Sequence, residues 1–185
     1  MHTGLILIDI QNDYFPGGAM ELEGAGEAGR AAARLLSFFR QRRFPVVHVR
    51  HESVHPGATF FLSGTPGAEI HPCAAPVEEE PVITKHFPNA FRETALLPRL
   101  RDARVGRLAM AGMMTHMCLD AGVRAAADLG FECLVAADAC ATKSLAWGGV
   151  AAPAASVQAA FLAALDGTYA RVISSDALVA ELSRI

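Results

Sequence analysis

The chain has 185 residues, 52% of them hydrophobic, and a formal net charge of −3. That length fits one domain spanning 1–185 with an ample core. Acids and bases are scattered with no basic patch, which excludes nucleic acid as an expected partner.

No apolar run approaches the ~20 residues of a membrane span, so no membrane partner is expected. The first residues lack the charged start, long apolar stretch and small-residue site of a secretory leader. Cys73, Cys118, Cys133 and Cys140 contain no CxxC pair, which disfavours a zinc ribbon or a dithiol motif. A reduced, cytoplasmic protein is the expectation.

In chain order, short apolar runs alternate with longer helical segments. Strands are predicted over 5–8, 45–49, 81–84, 107–111, 133–136 and 170–173. Helices are predicted over 25–42, 93–101, 116–129, 153–165 and 176–182. The strand runs are apolar throughout, as in strands buried on both faces. The expected fold is a three-layer α/β/α sandwich with a mostly parallel sheet of about six strands. Gly130 suits the end of the third helix, Pro153 the start of the fourth, and Ser174 or Ser175 the cap of the last. Two stretches resist assignment. Residues 50–80 are rich in Pro, Gly and His, and serve either the pocket or a subunit contact. Residues 142–152 carry Trp147-Gly148-Gly149 and suit a lid.

Three positions carry chemistry. Asp9 directly follows the first strand, at the edge where parallel sheets place their sites. It serves either as a partly desolvated base or as the cap of the next turn. Lys85 follows the third strand, and either reaches solvent or pairs with a buried acid. Cys118 lies at the third helical position if Thr115 is the N-cap. Its sulfur then sits near unpaired N–H groups, where thiolate is favoured; otherwise it packs as a small hydrophobe. An acid, a lysine and a cysteine at one sheet edge make a base, an electrostatic activator and a nucleophile.

The ordered motifs Leu7-Ile8-Asp9-Ile10-Gln11-Asn12-Asp13-Tyr14, Val82-Ile83-Thr84-Lys85 with Phe91, and Gly112-Met113-Met114-Thr115-His116-Met117-Cys118 resemble those of the isochorismatase-like cysteine hydrolases, which include nicotinamidases. The resemblance covers nearly the whole chain. It implies Asp9, Lys85 and Cys118 as a catalytic triad and a cis peptide at Met113–Met114. It also implies an oxyanion hole from the backbone N–H groups of Met114 and Cys118, and acyl transfer through a thioester.

The metal-dependent nicotinamidases carry Asp-x-His after the second strand, whereas this chain reads Arg50-His51-Glu52-Ser53-Val54-His55. Glu52 and His55 could ligate a metal, but the family pattern is missing and Arg50 would repel a cation. No metal and no cofactor are expected. A retained Cys118 favours amides over a vinyl ether. The expected function is cleavage of a C–N bond in a small neutral amide, imide or lactam. The rivals are isochorismatase-type ether hydrolysis and a non-catalytic or redox-sensing member of the fold. Tyr14, Phe87, Phe91, His116 and Trp147 are the expected substrate-binding residues, with His116 turned away from the thiol. Cys73, Cys133 and Cys140 are expected to be structural, with Cys140 also a candidate for the pocket wall. A homo-oligomer is expected from the apolar composition and the long loop.

Overall fold

The computed structural model describes residues 2–184. Its centre is a six-stranded sheet ordered β3-β2-β1-β4-β5-β8. The strands are β1 (His2–Ile8), β2 (Val46–His51), β3 (Val82–Lys85), β4 (Val105–Met113), β5 (Glu132–Ala141) and β8 (Arg171–Ile173). All five neighbouring pairs are parallel. The connections are α1 (Ala25–Gln41), α2 (Leu96–Asp102), α3 (Asp120–Asp128) and α4 (Ala154–Leu165), and α5 (Ser175–Leu182) closes the chain.

Alternation along β1 divides the core. Leu5 and Leu7 pack with Leu35 and Phe39 of α1 and Leu178 of α5. Ile6 and Ile8 pack with Leu96 of α2, Val123 of α3 and Leu165 of α4. The expected three-layer fold is therefore present, because strands apolar on both faces need a helical layer on each.

Several boundaries differ from the sequence expectation. The second helix begins at Leu96, not at 93, because Glu93 takes a φ of 57° and the Thr94 hydroxyl accepts from Leu96 N–H. Pro153 precedes α4 as its cap instead of occupying its first turn. Ser174 caps α5 by accepting from Ala177 N–H. Residues 142–152 contain an antiparallel hairpin of β6 (Leu145–Trp147) and β7 (Val150–Ala152). Among the described residues no helix is long and apolar enough to cross a membrane.

The strand order reverses between β1 and β4, which are neighbours in the sheet. Two crossovers leave that point in opposite directions, so their loops part at the carboxyl ends and open a crevice. Asp9, Lys85 and Cys118 all lie at this edge: one follows β1, one ends β3 and one follows β4.

Candidate active site

Asp9 leaves β1 with a φ of 52°, which folds its carboxylate back over the sheet edge. It is fully buried, as is the Lys85 side chain. The Lys85 ammonium donates to Asp9 Oδ2 at 2.7 Å, to His51 Nδ1 at 3.0 Å and to Cys118 Sγ at 3.2 Å. An ammonium has three protons, so these partners fix it completely. Burial alone would pull Lys85 down, but Asp9 and Cys118 hold it above the ordinary lysine value. Asp9 Oδ1 is buried and has no hydrogen-bond partner among the described residues.

Cys118 follows β4 through a tight passage. Gly112 takes a φ of 138°, and a Cβ there would collide with Ile8 O, so the chain requires glycine at this point. The Met113–Met114 peptide is cis. Thr115–Leu119 then forms one wide turn in which Leu119 N–H reaches Met114 O, five residues back. Met114, not Thr115, stands at the cap position, and Thr115 Oγ1 instead bonds Ala141 O and Gln158. Cys118 is thus the fourth residue of a π-type turn, not the third of an α-helix. Burial first and the Asp9 carboxylate second push its thiol well above the ordinary range, with Lys85 opposing them. Desolvation and a neighbouring carboxylate therefore act against the thiolate-favouring environment expected from the helix terminus.

The residues after Asp9 build the cleft wall. Gln11 Nε2 donates to His51 O at 2.9 Å and to Ala68 O at 2.7 Å, while its Oε1 accepts from His51 N–H at 2.8 Å. Asn12 Nδ2 donates to Pro66 O at 2.7 Å. The Asp13 carboxylate accepts from Phe61 N–H at 2.6 Å and Ala19 N–H at 3.1 Å. Gly67 passes so close to that carboxylate that a Cβ would collide with it. The motif therefore clamps the long 50–80 stretch over the sheet edge, and that stretch serves the cleft. Gln11→Leu is expected to destabilise the fold by about 2–4 kcal/mol, because it leaves buried backbone groups unpaired. A urea midpoint unchanged from wild type would refute the clamp.

The resulting cleft of about 240 Å³ is lined by Tyr14, His51, Ser53, His55, Phe60 and Phe61 on one side. His86, Pro88, Met114, Met117 and Cys118 complete it. Four of the five expected substrate-binding residues stand elsewhere. Phe87 lies under the Arg92 guanidinium at 3.6 Å. Phe91 stacks on Phe131 within the second core layer. His116 bonds Thr142 Oγ1 and meets Phe161 edge-on. Trp147 is 90% exposed on the β6–β7 hairpin, which forms no lid over Cys118. Only Tyr14 of that set lines the cleft, buried against Phe61 with ring centroids 4.5 Å apart. Cys140 belongs to β5, beside Gly112, and does not reach this cleft. Cys133 is buried in β5 as expected, and all four cysteines are free thiols.

The sequence reading missed His51, Phe60 and Phe61. His51 is the last residue of β2, so the strand-end rule that picked out Asp9 and Lys85 applies to it equally. The two phenylalanines had no such signal, lying in an aperiodic stretch.

Asp9, His51 and Cys118 offer ligand-type atoms within 4.8 Å of one another. The Lys85 ammonium already touches all three residues, so a metal ion there would meet a like charge at contact distance. The cation opposing a metal is therefore Lys85. Arg50 instead pairs with Glu52 at 3.0 Å and Glu69 at 3.3 Å, which also occupies the Glu52 carboxylate.

The isochorismatase domain model matches residues 3–177. The chain belongs to the isochorismatase family of hydrolases. It is 47% identical to the uncharacterized isochorismatase family protein YddQ of Bacillus subtilis (strain 168), over 97% of this chain and 99% of that one. A crystal structure described as an isochorismatase hydrolase from Oleispira antarctica superposes with a TM-score of 0.94 at 52% identity, covering 97% of this chain and 96% of that one. Maleamate amidohydrolase of Pseudomonas putida is 30% identical over 71% of this chain and 68% of its own length. Within this isochorismatase-family chain, the three strand-end residues meet at one buried point beside an apolar cleft.

Proposed function

We propose that this chain is a cysteine-dependent amidohydrolase acting on a small neutral amide, imide or lactam. The observation that carries the reading is the Lys85 ammonium bonded to both Asp9 and Cys118, at 2.7 and 3.2 Å, beside the cleft. The similarity to maleamate amidohydrolase supports C–N cleavage.

With Lys85 charged, Asp9 ionised and Cys118 a thiol, the buried cluster has no net charge. Moving the thiol proton to the unpartnered Asp9 Oδ1 keeps it neutral, whereas releasing that proton to water would leave a buried negative charge. Substrate attack therefore proceeds by transfer within the cluster. Sγ attacks the carbonyl carbon as Asp9 takes the thiol proton. The backbone N–H groups of Met114 and Cys118 receive the developing oxyanion. Asp9 then gives the proton to the leaving nitrogen as the C–N bond breaks, forming a thioester and a free amine. Water loses a proton to Asp9 as it attacks the thioester. That proton returns to sulfur when the carboxylic acid leaves.

The cleft lining contains no Arg, and its one nearby lysine is fully engaged. Phe60, Phe61, Pro88 and Met117 supply apolar walls, which suits a neutral substrate. Acid-quenched intact-mass measurement across a panel of small amides, imides and lactams tests the reading. One member is expected to add its acyl mass to the chain, mapping to Cys118. A trapped group bearing phosphate or several carboxylates would overturn the neutral-substrate reading. Hydrolysis by Cys118→Ala would overturn the nucleophile.

A further inference from the structure

His51 has no part in the proton movements above, yet its ring lines the cleft and touches Lys85. An ammonium only donates, so His51 Nδ1 must accept, and the single proton of the neutral ring then sits on Nε2. Nε2 has no partner among the described residues and is not sealed from solvent. Its free edge is therefore a donor presented to the cleft. The bond from Lys85 orients the ring, Gln11 holds the backbone N–H and carbonyl of the same residue, and the Phe61 ring centroid lies 6.0 Å from that of His51.

We infer that His51 is a specificity-determining residue that offers Nε2–H to a second neutral acceptor on the substrate, close to the carbonyl that Cys118 attacks. This rests on the reading of Cys118 as nucleophile. One ring nitrogen of His51 lies within 4.8 Å of Cys118 Sγ and both residues line the same cleft, so an acceptor on the Nε2 edge lies only a few bonds from the attacked carbon. The substrate class narrows to amides with a neighbouring carbonyl or ring nitrogen, cyclic imides included. Burial, with the Lys85 charge second, pulls His51 down to about 4, so the ring stays neutral and donates without surrendering its proton. No Arg or Lys lines this cleft, so a carboxylate as the second acceptor would meet no permanent cation there.

Alkylation of Cys118 tests this without knowing the substrate. Iodoacetamide carries a carbonyl beside the attacked carbon, and 1-iodopropane has a similar shape without it. In both, Sγ forms the new C–S bond, iodide leaves, and Asp9 takes the thiol proton. His51→Leu is expected to slow iodoacetamide about tenfold more than iodopropane, the worth of one hydrogen bond. His51→Gln, which can accept from Lys85 and still donate, is expected to restore most of the difference. Equal slowing of both reagents would mean that His51 acts only through Lys85 and would overturn the inference. No change with either reagent would do the same. Nitrogen NMR of the wild-type chain is an independent check if His51→Leu does not fold: a proton on Nδ1 would overturn the inference. Amide turnover is not used, so a chain inactive on the panel leaves this test standing. Failure of Cys118 to react at all would remove the nucleophile reading and this inference together.

Discussion

Lys85→Met is expected to lower turnover at least about 10³-fold and to destabilise the fold by about 3–5 kcal/mol. Both effects follow from one geometry. Asp9 and Lys85 have fully buried side chains joined at 2.7 Å, so the substitution leaves a carboxylate without its counter-ion. The buried acid then takes up a proton, which removes the base that Cys118 needs. The double variant Asp9→Leu with Lys85→Met is expected to recover much of the stability and none of the activity, because it removes both charges. Urea midpoints and turnover on the substrate found in the amide panel provide the check. A stable and active Lys85→Met would sink the electrostatic role. A double variant no more stable than the single would show that packing, not charge, holds the pair.

Asp9→Asn is expected to abolish turnover to a similar extent while making Cys118 more ionised. Asn adopts the left-handed backbone readily, so the φ of 52° at this position is no obstacle. With the carboxylate gone, the buried ammonium has one group left that can become its counter-ion, the thiol 3.2 Å away. In the wild type, burial and Asp9 both raise that thiol while Lys85 lowers it. Deleting Asp9 removes one raising influence and leaves Lys85 without opposition from a carboxylate. The sign is therefore a fall in the thiol value relative to the wild type, with burial still opposing Lys85. Thiolate absorbance and the pH profile of iodoacetamide modification measure it. The wild type is expected to react at a rate nearly flat through neutral pH, since its proton moves only within the cluster. The variant is expected to show a rate that rises with pH, because its proton must leave to solvent. A variant whose thiol ionises at higher pH than the wild type would refute the charge balance.

The same contrast separates what was legible in the chain from what was not. Asp9, Lys85 and Cys118 could be found in the sequence because Asp9 and Lys85 terminate apolar runs and Cys118 lies in the turn that follows one. A run apolar on both faces is a central parallel strand, and the carboxyl ends of parallel strands face one edge. Strand order was not needed for that convergence, only the period of the pattern. The clamp formed by Gln11, Asn12 and Asp13 was visible as a polar cluster, but its partners at Ala68, Pro66 and Phe61 lie far along the chain. Trp147 failed as a lid residue because a Gly-Gly turn specifies a hairpin without specifying where it leans. Phe87 and Phe91 sit close to Lys85 in sequence, yet their rings turn to Arg92 and Phe131.

Local sequence therefore determined the fold class and the identity of the three strand-end groups, since backbone periodicity and strand polarity depend on neighbouring residues alone. Tertiary structure decided the wall of the cleft, the tautomer of His51 and the direction in which the Cys118 thiol is pushed. Each of these depends on desolvation and on charges brought within a few ångströms by folding, from residues such as 9, 51, 85 and 118 that share no sequence neighbourhood.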